Sequence, residues 1–350
     1  MTDQGSPYGA IYEAVERHRA ELLRLEHGAT ADTLKAYGKV WARLRRRVET
    51  LAKQHRAAID AGESPDQAWV ADYQRVSELM AQVEGDLRRL HDRVYQRTVS
   101  AESRAIEMGE RHFQDVLAIS GDAYGDPAIM ASYNRVPLEA MRDLVGTLRP
   151  GTPLRVLLDG LGTVASQQIR DELMAGLAVG EGPRAVARRI RGALGGDMSR
   201  ALRISRTEML RAYRTATNER YRANEHLVNG WRWVSSKDSR VCPACLALDG
   251  TWHPASEVQQ DHPNGRCQAI PSLRGRDNPD DPAPWETGAQ WLEKQSPETQ
   301  QQVLGGAVEA YRQGQITLSD LQGTATSPLW GTVPRRRALS EVIPKSEPSA

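Results

Sequence analysis

Apolar residues in the first third of the chain recur every three or four positions, in two long stripes with one interruption. The first stripe runs from Leu34 to Leu51, and the second continues from residue 66 to about 119, with Gly62 and Pro65 between them. This spacing puts the apolar side chains on one face of a helix. At ~1.5 Å per residue the second helix would be roughly 75 Å long, so it needs a partner along its length. We predict a long antiparallel helical hairpin over residues 1–120.

The following residues, 121–229, have a composition rich in Ala, Leu, Arg and Glu, which favours helices. Pro137 and Pro183 are suited to the first turn of a helix, where the missing N–H is tolerated. Asp197 has the side chain of an N-cap, and we place it at the start of a helix that runs to about Asn224. These features predict a compact helical domain over residues 121–229.

Arginine is concentrated near the end of that domain. Residues 184–222 hold eleven arginines and three acidic residues, a local charge of +8 in a chain whose net charge is +1. Arg211, Arg214 and Arg222 have spacings that allow them to share one helix face, which makes them candidate contacts to DNA or to an acidic partner. A solvated helix face is the alternative interpretation.

The sequence changes character near residue 230, since six of the eight tryptophans follow it. Trp231 and Trp233 alternate with polar residues, which predicts a short strand. Asp249-Gly250 is a turn signal and leads to a second strand at Trp252. We predict a small α+β module, of the zinc-knuckle kind, over residues 230–275.

All three cysteines of the chain fall in one 26-residue window inside this module. The candidate metal ligands are Cys242, Cys245, His262 and Cys267. Two closely spaced thiolates, a third thiolate and an imidazole form the tetrahedral donor set that structural zinc prefers. His253 is a possible substitute for His262, and free thiols beside a loop histidine are the alternative. Four protein ligands would close the site, so the zinc would be structural rather than catalytic.

The C-terminal part is predicted to follow an acidic, proline-rich linker at residues 279–284. Apolar spacing indicates a C-terminal helical extension over residues 285–322, and residues 323–350 have the composition of a disordered tail. The fold class is therefore mainly α, with the small α+β module between helical segments. No apolar run is long enough to span a membrane, and the N-terminus does not resemble a secretory signal. Three cysteines do not form an even disulfide framework, which favours a reducing compartment.

Two enzyme classes share parts of the cysteine pattern. Nucleobase deaminases use H-x-E followed by P-C-x-x-C, but Val241 precedes Cys242 here and no H-x-E occurs upstream. HNH-type nucleases combine zinc knuckles with an Asp-His pair, which Asp261-His262 resembles. A structural zinc ligand at His262 would leave it unavailable as a base.

The motifs in and before the module occur in a fixed order, and together they resemble the phage head morphogenesis domain of the phage Mu F-like minor head proteins. The resemblance covers about residues 150–270. Its motif residues, besides the cysteines and histidine, are Arg206, Thr207, Glu208, Asp238, Arg240, Asp249 and Gly250. Gly265 stands where that pattern usually has a cysteine, so the fourth ligand here would be Cys267.

The resemblance implies a non-enzymatic minor structural protein of a tailed-phage or prophage head. Its expected location is the virion, at the portal vertex or the head interior, after assembly in the host cytoplasm. The implied partners are the portal protein and capsid or scaffold proteins, with double-stranded DNA as a further candidate during packaging or ejection and no membrane. An HNH-like nuclease of the packaging apparatus and a zinc-stabilised DNA-binding module are the alternatives.

Overall fold

The structure is a computed structural model that describes residues 7–62, 65–145, 153–179, 181–327 and 330–343. It is 69% helical, which confirms the predicted mainly α class. The long elements are α1 (Pro7–Asp60), α2 (Pro65–Tyr124), α5 (Pro153–Ala178) and α6 (Pro183–Ala223), with short helices α3 (Ala128–Ala131) and α4 (Leu138–Val145) between α2 and α5. The remaining elements are β1 (Val228–Val234), α7 (Pro243–Leu248), β2 (Trp252–Pro254), β3 (Gln268–Leu273), α8 (Gly288–Glu293), α9 (Pro297–Leu304), α10 (Val308–Arg312), β4 (Gln322–Ser327), β5 (Gly331–Arg336) and α11 (Leu339–Val342).

The chain divides into two compact units, each built from segments that are distant in sequence. The first unit contains residues 1–24, 102–147 and 210–350, and the second contains residues 25–101 and 148–209. These units cut across the predicted domain boundaries. The reason is helix length: α1 and α2 have 54 and 60 residues, so each reaches roughly 80–90 Å and exceeds the diameter of a small domain.

In the second unit, α1 and α2 pair in antiparallel orientation, as the sequence predicts. Arg47 contacts Asp86 at 2.9 Å, and Tyr37 lies 3.2 Å from His91. The residue nearer the start of α1 thus contacts the residue farther along α2, as antiparallel pairing requires. Helices α5 and α6 complete the apolar core of this unit. Its fully buried residues include Val48, Leu90, Leu158, Ile169, Leu173, Val186 and Ile190.

Helix α6 is one continuous helix, whereas the sequence predicted a new helix at Asp197. Asp197 lies inside α6, and its carboxylate accepts a hydrogen bond from Tyr37 at 2.8 Å instead of capping a helix end. The buried face of the helix continues on both sides of Gly195-Gly196. The residues buried at helical spacing are Ile190, Leu194, Asp197, Ala201 and Ile204. This packing offsets the helix-breaking tendency of the two glycines.

The predicted small module is present in the first unit as a three-stranded antiparallel sheet in the order β2-β1-β3. The two predicted strands are confirmed as β1 and β2, while β3 was not predicted. Pro271 made β3 hard to predict, but β3 is an edge strand, where proline is tolerated. At Gly230 a Cβ atom would lie 2.3 Å from the ring of Trp252, so this strand position requires glycine.

The C-terminal extension is a series of short capped helices followed by a β-hairpin. The hydroxyl of Thr287 caps α8, and Ser296 caps α9 in the same way. Strands β4 and β5 pair between Gln322 and Arg336, so the prediction of a disordered tail is wrong for this part of residues 323–350. The strands are held by a ladder of backbone hydrogen bonds and by the burial of Val333. Residues 328–329 and 344–350 lie outside the described part.

Across the described residues, no helix is both long enough and apolar enough to cross a membrane.

Candidate metal centre

The first two predicted ligands lie at the start of α7. Pro243 occupies the first helical position, where its missing N–H leaves no hydrogen bond unmade. The N–H of Leu246 donates to the carbonyl of Cys242 at 3.0 Å and closes the turn. The thiols of Cys242 and Cys245 are thereby presented together, with Cys242 partly exposed and Cys245 buried.

The other two predicted ligands lie in the loop that leads into β3. A turn at Pro263 and Asn264 is closed by the N–H of Gly265, which donates to the carbonyl of His262 at 2.8 Å. Asn264 has a φ of 64°, a left-handed conformation that asparagine tolerates better than most residues. Cys267 directly precedes β3 and is buried. The turn therefore brings His262 and Cys267 back toward α7.

The donors form two three-residue clusters that share Cys245. One cluster contains Cys242, Cys245 and His262, and the other contains Cys245, Asp261 and Cys267. Within each cluster the donor atoms lie within 4.8 Å of one another. The four predicted ligands are thus brought into one connected group. Asp261 is a fifth donor, which the sequence suggests only as part of a nuclease pattern.

Asp261 organises the loop through both carboxylate oxygens. The N–H of His262 donates to Oδ1 at 2.8 Å, and the N–H of Cys267 donates to Oδ2 at 3.1 Å. The thiol of Cys245 lies 3.6 Å from Oδ1, and an Nη atom of Arg214 lies 3.8 Å from Oδ2. The side chain of Asp261 is fully buried, so these partners replace its contacts with water.

Arg214 supports this loop and is not available to DNA. Its Nη1 atom donates to the carbonyl of Gly265 at 3.1 Å, and the residue is 4% exposed. The prediction that Arg214 shares a surface with the other two arginines is therefore wrong, because Arg214 packs against the buried Asp261. Arg222 is exposed and pairs with Glu219 at 2.9 Å, whereas Arg211 is partly exposed.

Hydrogen bonds among the donors shift their protonation in opposite directions. The hydrogen bond from Cys245 lowers the pKa of the Cys242 thiol to about 4, with a further contribution from His262. Hydrogen bonds to Cys242 and Cys267 hold the pKa of Cys245 well above its usual value. Burial opposes protonation of His262, but its contact with Cys242 and the charge of Asp261 raise its pKa to about 10. The first cluster therefore favours a thiolate–imidazolium pair, and metal binding would displace protons from it.

The surroundings of Gly265 explain why this loop lacks the cysteine that the phage Mu F-like pattern usually has at this position. A Cβ atom on Gly265 would lie 2.0 Å from Cγ of Asp261 and 2.1 Å from its Oδ2 atom. No side chain fits there while Asp261 keeps its position. The carboxylate of Asp261 thus occupies the space where the resembling pattern has a cysteine.

These donors fit a zinc ion in their chemistry. Thiolate, imidazole and carboxylate are the three side-chain classes that bind zinc, and each cluster supplies two thiols and one harder donor. Both clusters are largely screened from solvent, as expected of a structural site. Zinc held here would tie the start of α7 to the loop before β3.

The comparison with protein families bears on the same residues. Residues 167–270 match the family described as Phage Mu protein F like protein. This segment of the chain is similar to the phage Mu F-like proteins. This match confirms the resemblance drawn from the sequence motifs and indicates a role in phage head morphogenesis. No curated protein and no solved structure matches the chain.

Within the matched segment, the first motif lies on α6 and makes structural contacts. Arg206 donates to Glu26 at 2.5 Å, and the hydroxyl of Thr207 donates to the carbonyl of Arg203 at 2.7 Å. Thr207 and Glu208 are both 2% exposed. These motif residues therefore contribute to packing within the second unit.

Asp249 joins the end of β1 to the segment before α8. Its Oδ2 atom accepts hydrogen bonds from the N–H and hydroxyl of Ser235, and its Oδ1 atom accepts one from the indole of Trp285 at 3.0 Å. Lys237 lies 3.2 Å from the same carboxylate. Gly250 has a φ of 89°, and a Cβ there would lie 2.7 Å from Ala283, so glycine is required. This part of the F-like motif encodes a turn and a buried carboxylate that fixes it.

Asp238 and Arg240 hold the turn that precedes the cysteines. The N–H of Arg240 donates to Asp238 at 2.9 Å, and Arg266 forms a two-point ion pair with the same carboxylate, one contact being 2.8 Å. Arg266 belongs to the loop that carries His262 and Cys267. This ion pair therefore connects the two halves of the candidate metal centre.

Proposed function

We propose that this chain is a non-enzymatic minor structural protein of a tailed-phage or prophage head, and that it acts in head morphogenesis at the portal vertex. The F-like match over residues 167–270 is the observation that carries the proposal. The proposed partners are the portal protein and capsid or scaffold proteins, and the proposed location is the virion. Double-stranded DNA, during packaging or ejection, is a further proposed partner.

The contacts of the motif residues support a structural role. Asp249 fixes a turn, Asp238 pairs with Arg266, and Arg206 pairs with Glu26. Each carboxylate has a cationic or hydrogen-bonding partner within the protein. Such groups are engaged in holding the fold, which is what a scaffold for protein–protein assembly requires.

The portal-vertex proposal predicts where the chain lies in assembled particles. We expect an asymmetric cryo-EM reconstruction of procapsids to show density for this chain at one vertex, the one that carries the portal. Particles assembled without portal protein are the matched control and should lack the chain. Equal occupancy of all vertices, or absence of the chain from normal procapsids, would contradict the proposal.

The nuclease alternative would assign a catalytic role to His262. Its Nδ1 atom is 2.9 Å from the carbonyl of Pro263, and its Nε2 atom is 3.7 Å from Asp261, so an adjacent carboxylate is present. Nicking of supercoiled plasmid with magnesium or manganese, abolished by His262→Ala, would favour this alternative. The structural proposal expects the wild-type chain to leave the plasmid intact.

A basic groove in the second unit supports contact with DNA. Four cationic side chains line a cavity of about 640 Å³ between α1 and the start of α6: Arg45, Lys53, Arg184 and Arg188. Glu49 is the acidic residue in this lining, and it pairs with Arg45 at 2.8 Å. Arg184 and Arg188 are exposed, in contrast to the buried Arg214. We therefore propose this groove, rather than the face predicted from the sequence, as the surface that meets phosphates.

The groove proposal predicts the salt dependence of DNA binding. Each phosphate contact adds roughly 0.9 to the slope of log K against log salt concentration. The double variant Arg184→Ala/Arg188→Ala is therefore expected to reduce the slope for duplex DNA by about 1.8. Arg189 and Arg222 already pair with acidic residues, so Arg189→Ala/Arg222→Ala is the control. Equal slopes for the two double variants would contradict the proposal. Binding of an acidic protein, without binding of DNA, would also contradict it and would assign the groove to a protein partner.

A further inference from the structure

A second cavity lies between α2 and α5 in the second unit, and its lining shares no residue with the metal centre or the basic groove. Its volume is about 470 Å³. Arg88 and His91 of α2 line it, together with Gly162, Thr163 and Ser166 of α5. Nothing in the F-like motifs accounts for this cavity.

His91 is held in one orientation by buried hydrogen bonds. Its Nε2 atom lies 2.9 Å from Oδ2 of Asp197, and the hydroxyl of Tyr37 donates to the same oxygen at 2.8 Å. The opposite ring nitrogen, Nδ1, lies 3.1 Å from the position that a Cβ on Gly162 would take. Because Gly162 has no side chain, this nitrogen of a residue that is only 3% exposed faces the cavity.

The buried carboxylate of Asp197 needs a cationic partner, and His91 is placed to be that partner. Asp197 is 2% exposed, and its Oδ1 atom has no hydrogen-bond partner. A buried carboxylate is costly unless a cation pairs with it. Among the described residues, His91 is the group with an ion-pair contact to Asp197. Nε2 of His91 is occupied by this contact, so Nδ1 is the atom that a ligand would meet, and an anionic oxygen there would favour the imidazolium form, which donates from both nitrogens.

The acidic side chains that line the cavity already have cationic partners. Arg155 pairs with Asp92 at 2.7 Å and with Asp159 at 3.0 Å. Glu84, the other acidic residue of the lining, lies 3.5 Å from Arg170. Within the part of the chain that the structure describes, Arg88 has no acidic partner. Arg88 is therefore the cation of this lining that an anionic ligand could contact without displacing an ion pair.

We propose that this cavity binds a phosphate group, held by Arg88 and by Nδ1–H of His91, with the hydroxyl of Thr163 as a further donor. Cationic N–H donors form the strongest hydrogen bonds to phosphate oxygens, and a planar guanidinium matches their geometry. Asp197 and Tyr37 position His91 without touching the ligand. A bound phosphate would connect α2 to α5 inside the second unit, independently of the proposed role at the portal vertex.

Two glycines of α5 provide a matched test. A methyl group on Gly162 would press against His91 and fill the opening, whereas a methyl group on Gly160 meets no atom within 4 Å. Both changes raise helix propensity, so neither is expected to prevent folding. By isothermal titration calorimetry, inorganic phosphate is expected to bind the wild type and Gly160→Ala equally. Gly162→Ala and Arg88→Gln should each weaken binding by about tenfold or more, the effect of losing a charged hydrogen bond.

The source of the phosphate is decided by a second titration, with a nucleoside 5′-monophosphate in place of inorganic phosphate. Binding of both probes with similar affinity supports a site for free phosphate. Tighter binding of the nucleotide, lost in Gly162→Ala, supports a site for an esterified phosphate. The proposal is overturned if neither probe binds the wild type saturably, or if Gly162→Ala binds as tightly as Gly160→Ala.

Discussion

Cys245→Ser is expected to abolish zinc binding and to unfold the region around the sheet of the first unit. Cys245 belongs to both donor clusters, so its loss leaves neither with two thiols. Structural zinc contributes roughly 10–16 kcal/mol of apparent binding free energy in small domains. Losing even a third of this would lower Tm by about 10 °C or more in a unit of this size. Metal content by mass spectrometry and melting followed by tryptophan fluorescence measure the two effects.

Two histidine variants provide the control for this experiment. His253 was a possible ligand from the sequence, but its ring stacks on Trp231 at a centroid distance of 4.2 Å, and it belongs to neither cluster. His253→Ala is therefore expected to keep one zinc per chain, whereas His262→Ala loses or weakens it. A wild-type protein that purifies without zinc, or a Cys245→Ser variant that retains it, would contradict the metal proposal.

Cys267→Ser then distinguishes the two clusters. If zinc lies between Cys242, Cys245 and His262, this variant retains the metal. If zinc lies beside Asp261, the variant loses it, and Asp261→Asn weakens binding as well. Cobalt substitution reports the number of thiolates through the intensity of the sulfur-to-metal charge-transfer band.

Arg220→Ala is expected to destabilise the first unit by about 3–5 kcal/mol, the usual cost of breaking a buried ion pair. The side chain of Arg220 is fully buried, and its Nε atom donates to Glu110 at 2.6 Å. Its Nη2 atom donates to the carbonyl of Ile106 at 3.0 Å. Without Arg220 the buried carboxylate of Glu110 retains hydrogen bonds from Tyr133 and Gln114, but its remaining cationic contact is the exposed Arg135 at 3.8 Å, beyond hydrogen-bond distance. The free energy of unfolding, from denaturant titration followed by fluorescence, measures the loss.

Arg222→Ala is the matched control, two residues further along the same helix. Arg222 is exposed and pairs with Glu219 one turn away, so its removal should cost less than about 1 kcal/mol. Similar losses for the two variants would contradict a buried ion pair between Arg220 and Glu110.

Features encoded by short-range spacing were predictable from the sequence. The apolar stripes of α1 and α2 predicted the hairpin, and the rarity of cysteine drew attention to Cys242, Cys245 and Cys267. Strands β1 and β2 followed from alternation around Trp231 and from the turn at Asp249-Gly250. In each case the signal lies within a few residues of the element that it specifies.

Buried charges were not predictable, because their partners are distant in sequence. Asp197 has the side chain of an N-cap, and only its contacts with Tyr37 and His91 show why it lies inside α6. Arg214 looks like a surface arginine until the loop carrying Asp261 packs against it. For this reason Arg214 cannot share an exposed face with Arg211 and Arg222, as the sequence predicted.

The close approach of Asp261 and Gly265 has a consequence for how sequences of this type can change. A side chain at 265 and a carboxylate at 261 would occupy the same volume, so the two positions are mutually exclusive. Introducing a cysteine at 265 first would displace Asp261, and removing Asp261 first would leave the loop without its central acceptor. Conversion between the two ligand arrangements therefore requires a coupled double substitution, and these positions should covary in any alignment of close relatives.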